Sequence, residues 1–125
     1  MSIRQGIAIL GATGSIGLNT LDVIRRNQDR YQVVALTAHR DVERMTQLCC
    51  EYHPAYAAMA DLAAAERLAA RLRDQVPDTQ VLAGEEALSK VVALPDVDTV
   101  MAAIVGAAGL RASLSAARAG KKLLL

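Results

Sequence analysis

The chain predicts a Rossmann-like α/β domain, a doubly wound parallel sheet of about six strands with helices on both faces. Three observations carry this. Short apolar runs alternate with longer amphipathic ones along the whole length, the βαβαβ order of a parallel sheet. The first run, residues 7–10 (Ile7, Ala8, Ile9, Leu10), is apolar at every position, as a strand covered on two sides must be. It leads directly into Gly11, Gly14 and Gly17, spaced three apart, where strand gives way to helix.

Each later element follows from its own pattern. A helix is expected over 16–27, with Gly17, Leu21 and Ile24 facing the sheet at i, i+4 and i+7. Asn19, Asp22 and Arg26 line its other face, with Asp22 and Arg26 spaced for an ion pair. A second strand is expected over 31–37, so that strand one to strand two spans about thirty residues, the size of a βαβ unit. Asp41 is placed to cap a helix over 42–52, which Pro54 ends. Residues 56–59 form strand three. An alanine-rich helix over 61–74 sets Leu62, Ala65, Leu68 with Ala69, and Leu72 on one side. Arg67, Arg71, Arg73, Glu66 and Asp74 make its solvated face. Strand four is 80–82, and a helix over 84–93 buries Leu88, Val91 and Val92. Pro95 and Asp96 mark a turn before strand five, 98–104. A second glycine turn, 106–109, precedes a helix over 110–119 with Leu110, Leu114 and Ala117 aligned. Gly120 ends that helix, and a sixth strand opens at Lys122 and runs to Leu125.

No repeat or linker interrupts this order, so residues 1–125 read as one domain. The three leucines that close the chain in mid-strand read as a piece of a longer polypeptide, and an uncovered edge there is an association hazard.

Composition narrows the function. With a net charge of +1 and three tyrosines as its only aromatics, the chain offers no electrostatic or stacking case for nucleic acid, and no charge case for a membrane surface. No apolar run approaches a membrane span, and the N-terminus lacks a signal-peptide layout, so a cytoplasmic protein is expected. Cys49 and Cys50 are adjacent, fit neither a zinc spacing nor C-x-x-C, and read as ordinary structural thiols. Nothing in the sequence resembles a general acid–base pair or a metal cluster, so no catalytic or metal residue is assigned.

The glycine stretch carries chemistry. Gly11 allows a sharp turn out of the strand, Gly14 a close approach of backbone to a bulky anion, and Gly17 close packing of the helix. A helix start here aims unpaired N–H groups and a positive dipole end at a diphosphate. Thr13 and Ser15 add hydroxyls able to donate to phosphate oxygens. The end of the second strand then discriminates NAD from NADP. An NAD site places an acid there for the ribose hydroxyls. This chain has Thr37, Ala38, His39 and Arg40 instead. The Arg40 guanidinium suits a 2′-phosphate, with His39 as a further donor. Asp41 is compatible with that phosphate only if its carboxylate turns toward its own helix. The expected cofactor is therefore NADP in preference to NAD.

With these residues in view, the chain resembles the 1-deoxy-D-xylulose 5-phosphate reductoisomerase family. The likeness rests on 10–17 (Leu-Gly-Ala-Thr-Gly-Ser-Ile-Gly), 20–23, 33–36 and, most specifically, 97–110, together with Ala119, Gly120, Lys121 and Lys122. It covers the whole chain, but only the family's amino-terminal NADPH domain. The resemblance implies an enzyme that rearranges 1-deoxy-D-xylulose 5-phosphate and reduces the product with NADPH to 2-C-methyl-D-erythritol 4-phosphate, on the non-mevalonate isoprenoid route. It implies a homodimer, the target of fosmidomycin, with a Mg²⁺ or Mn²⁺ ion held by residues beyond this chain. By position, Thr13, Gly14, Ser15 and Ile16 would meet the diphosphate and adjoining groups. His39, Arg40 and Asp41 would occupy the segment that holds the 2′-phosphate, and Ala103, Ile104 and the Gly106 turn would lie near the nicotinamide half. His39 and Asp41 depart from the glycine and the asparagine or serine common there. The segment alone is expected to bind NADPH weakly and not to turn over. Two other readings stay open: another NADP-dependent oxidoreductase, such as a semialdehyde dehydrogenase, and a non-enzymatic nucleotide sensor on the same fold.

Overall fold

A computed structural model describes residues 4–104 and 107–124. The elements are β1 (Gln5–Leu10), α1 (Ser15–Arg26), β2 (Tyr31–Ala38), α2 (Val42–Tyr52), β3 (Tyr56–Met59), α3 (Leu62–Gln75), β4 (Gln80–Ala83), α4 (Glu85–Val92), β5 (Thr99–Ala102), α5 (Ala107–Arg118) and β6 (Lys122–Leu124). The six strands form one sheet in the order β4-β3-β2-β1-β5-β6, with every neighbouring pair parallel. The order reverses beside β1, which pairs with β2 on one side and β5 on the other. That is the switch point where doubly wound sheets take ligands.

Alternation along β1 sorts the core into two layers. Ile7 and Ile9 pack with Leu21 and Ile24 of α1, Met45 and Leu48 of α2, and Leu68 and Leu72 of α3. Ala8 and Leu10 point the other way, with Leu88, Val91 and Val92 of α4 and Ala112 and Ala116 of α5. A sheet sealed on both faces explains why β1 carries no polar alternation. Each fully buried leucine contributes roughly 1.5–3 kcal/mol of hydrophobic stabilisation.

Helix ends follow the sequence closely. Asp41 caps α2 by accepting the Arg44 N–H at 3.1 Å, and Asp61 caps α3 by accepting the Ala64 N–H at 2.9 Å. Asp22 pairs with Arg26 at 3.2 Å as spaced, and with Arg25 at 2.6 Å as well. Gly120 closes α5 at φ +77°, with Lys121 N–H reaching Ala116 O and Gly120 N–H reaching Ala117 O. This is a Schellman stop.

Two apolar stripes differ from expectation. Leu110 and Leu114 are 64% and 47% exposed, and Ala117 is also exposed, while Gly109, Ala112 and Ala116 form the buried side of α5. The helix begins at Ala107 and not at 110, so residues 107–109, expected within a glycine turn, are its first residues. Its phase is set by Gly109, where a Cβ would lie 2.6 Å from the Ile104 carbonyl oxygen. Only a face of small residues fits against the end of β5. In α3, Leu62 is 65% exposed at the first helical position, and Ala64 joins Ala65, Leu68 and Leu72 in the core. Strand β5 stops at Ala102, short of the expected 104. Gly106 and Leu125 lie outside the described residues.

Candidate dinucleotide site

The site is built where β1 ends. Gly11 adopts φ +81°, a conformation that disfavours any side chain, and so turns the chain out of the strand. A Cβ there would also lie 2.9 Å from the Ala103 carbonyl oxygen, which places the end of β5 directly against the turn. Ala103 N–H in turn donates to Leu10 O at 2.9 Å. Gly17 is buried, and a Cβ on it would sit 2.4 Å from Gly11 O and 2.8 Å from Ala12 O. Its missing side chain lets α1 rest on the turn itself, a closer neighbour than the sheet expected from sequence.

Gly14 is different. Its φ of −84° and ψ of 173° are open to any residue, and a Cβ would meet only Gly11 O, at 3.7 Å. Nothing in the described packing requires glycine there. It is also the N-cap of α1 and supplies no side-chain cap. Helices α2 and α3 have carboxylate caps, and α4 carries Glu85 and Glu86 in its first turn. Helix α1 has neither a capping side chain nor an acid in its first turn. Of α1–α4 it alone presents an N-terminus uncompensated by protein charge, which suits an anion. Thr13 is half-buried beside this opening, and Ser15 and Ile16 are exposed on it.

The neighbouring strand end presents the second group. His39 and Arg40 are exposed immediately past β2. The Asp41 carboxylate is turned to the Arg44 N–H, back toward its helix. Among the described residues the ion pairs join Asp22 to Arg25 and Arg26, and Glu85 to Arg111; Arg40 enters none of them. On the far side of the turn, Ala103 and Ile104 are half-buried at the end of β5. The glycine turn, the residues after β2 and the residues after β5 thus gather at one edge of the sheet.

Sequence reasoning missed Thr37. It is fully buried, and its Oγ1 accepts the Gly11 N–H at 3.1 Å while its carbonyl accepts the Ala12 N–H at 2.8 Å. A hydroxyl in the apolar half of β2, just ahead of His39 and Arg40, was the available signal. Among the described residues no group of three or more His, Cys, Asp or Glu side chains converges, so these residues do not fit a metal ion. Neither does any described helix have the length and apolarity to cross a membrane.

The parallel topology, with a glycine turn at the switch point, defines a doubly wound α/β domain of the Rossmann-like class. Residues 7–125 match the family model for 1-deoxy-D-xylulose 5-phosphate reductoisomerase, and the chain belongs to that family. The enzyme of that description from Nitrosomonas europaea is 57% identical over all 125 residues, which amount to 30% of its length. A solved reductoisomerase in complex with magnesium superposes with a TM-score of 0.93 at 44% identity, covering 98% of this chain and 30% of that one. The Zymomonas mobilis enzyme in complex with NADPH gives 0.90 at 42% identity, covering all of this chain and 32% of that one. The chain therefore spans about a third of the length of the relatives it matches.

Proposed function

We propose that this chain is the NADPH-binding domain of a 1-deoxy-D-xylulose 5-phosphate reductoisomerase, and that the whole enzyme converts that phosphosugar to 2-C-methyl-D-erythritol 4-phosphate. The observation that carries the reading is the start of α1: a glycine N-cap whose Cβ would meet only an ordinary contact, no compensating acid, and a place at the switch point. The Z. mobilis relative, similar along the whole chain, is described in complex with NADPH.

In this reading Gly11, Thr13, Gly14, Ser15, Ile16 and Gly17 form the diphosphate cradle. Gly11 and Gly17 shape it, Gly14 leaves room, and the first-turn amides with the Thr13 and Ser15 hydroxyls donate to the phosphate oxygens. His39 and Arg40 receive the 2′-phosphate, and Asp41 is kept from repelling it by its role as a helix cap. Ala103 and Ile104 border the nicotinamide half, where small and apolar groups let the ring lie against the strand end. NADPH, when bound, supplies the hydride; the protein supplies orientation and exclusion of water. Mg²⁺ or Mn²⁺ belongs to residues outside these 125, as does the substrate site. A homodimer in the cytoplasm is part of the same proposal.

A chimera tests this reading. Residues 1–125 replace the corresponding segment of the N. europaea enzyme. The chimera is expected to oxidise NADPH only when 1-deoxy-D-xylulose 5-phosphate and Mg²⁺ are both present. A folded chimera that leaves NADPH unoxidised contradicts the proposal. That failure is the outcome expected of a domain that serves another NADP-dependent oxidoreductase or a sensor.

A further inference from the structure

We infer that Thr37 is a positioning residue for the dinucleotide, clasping two consecutive amides of the glycine turn and so setting where the following amides point. This rests on the reading of that turn as the diphosphate site.

Two bonds make the clasp. The Thr37 carbonyl takes the Ala12 N–H at 2.8 Å, a bond available to any residue at this place. Its Oγ1 takes the Gly11 N–H at 3.1 Å, and that bond needs an oxygen on the β-carbon. Valine has the same shape as threonine and suits a buried strand better, since it brings no polar group into the core. The hydroxyl at a fully buried position is explained by the amide it serves. Gly11 is already held at φ +81° and pressed against Ala103, so the turn is constrained from the β5 side as well. Thr37 constrains it from the β2 side.

The position of Thr37 gives the clasp a second consequence. The strand that carries it continues through Ala38 into His39 and Arg40. Thr37 therefore ties the diphosphate turn to the segment that takes the 2′-phosphate, and fixes the distance between the places for two phosphate groups of one ligand. A hydroxyl-free residue here loosens the turn relative to Arg40 without removing any group that touches the ligand.

The test uses the chimeric enzyme described above and its Thr37→Val and Thr37→Ser variants. Each is titrated with NADPH and with adenosine 2′-monophosphate, which has the 2′-phosphate but no diphosphate. Thr37→Val is expected to weaken NADPH about three- to tenfold, the worth of one hydrogen bond. It should leave adenosine 2′-monophosphate within about twofold, and Thr37→Ser should hold NADPH within about twofold of the parent. Equal NADPH affinity across the three chains overturns the inference. So does an equal loss of both ligands in Thr37→Val, which marks general loosening, and so does a loss in Thr37→Ser. If Thr37→Val does not fold, Thr37→Ala supplies the hydroxyl-free comparison under the same criteria. A Gly14→Val variant separates the positioning role of Thr37 from the diphosphate site itself. If Gly14→Val loses NADPH while Thr37→Val keeps it, the positioning role alone falls. If Gly14→Val binds as tightly as the parent, or the parent does not bind, the diphosphate reading falls and the inference with it.

Discussion

Cys49 is fully buried in the layer between α2 and the sheet, and burial, followed by the neighbouring Cys50, pushes its thiol up from 9.0 to about 12. The folded chain thus holds this proton to a higher pH than the unfolded chain does. Its contribution to stability is complete below about pH 9 and is lost as pH rises from there toward 12. Denaturant midpoints should fall between about pH 8 and about pH 10 in the parent and fall less in Cys49→Ala. An identical pH dependence in the two chains would contradict this. Arg40 gives the residue-scale prediction for function. On the proposed reading, replacing it with alanine removes a charged partner of the 2′-phosphate, so NADPH should bind about ten- to a hundredfold more weakly while NADH is unchanged. Unaltered NADPH affinity would remove Arg40 from the site. At this scale the sequence was informative wherever a side chain acts locally. Asp41 was legible as a cap because its carboxylate reaches the backbone three residues on. Thr37 was not, because the amide it binds is 26 residues away, and only the pairing of β1 with β2 brings them together.

Elements were legible where local chemistry sets their phase. Helix α1 was placed from Gly17, Leu21 and Ile24, and these are its buried residues. Helix α5 was misphased because leucine was taken to mean core. Its contact surface is instead made of small residues, since the end of β5 comes close enough to exclude a Cβ at Gly109. That distance is a tertiary fact which no periodicity contains. The glycines of the first turn allow a contrast at this scale. Gly17→Ala drives a methyl into Gly11 O and should cost about 1–3 kcal/mol or more, as overpacking does. Gly14→Ala meets only an ordinary contact and should cost less than about 1 kcal/mol. Chemical denaturation of both variants checks the difference. Similar losses in both would mean that α1 does not rest on the turn as described.

For the whole molecule, the βαβ alternation was enough to anticipate six parallel strands wound on both faces. The strand order, and with it the gathering of three loops beside β1, depended on pairing that the sequence only implied. Between α1 and the edge strand β6, Ile7, Val23, Met101 and Leu124 line a largely apolar groove. It lies apart from the glycine turn, whose residues take no part in its walls. The central claim is that the turn at β1 and the arginine after β2 together select NADPH. Calorimetric titration of the 125-residue chain with NADPH and with NADH tests it most directly. Saturable binding at one site is expected, with NADPH favoured by about tenfold or more. Equal affinity for the two, a preference for NADH, or no binding by the folded chain would contradict it.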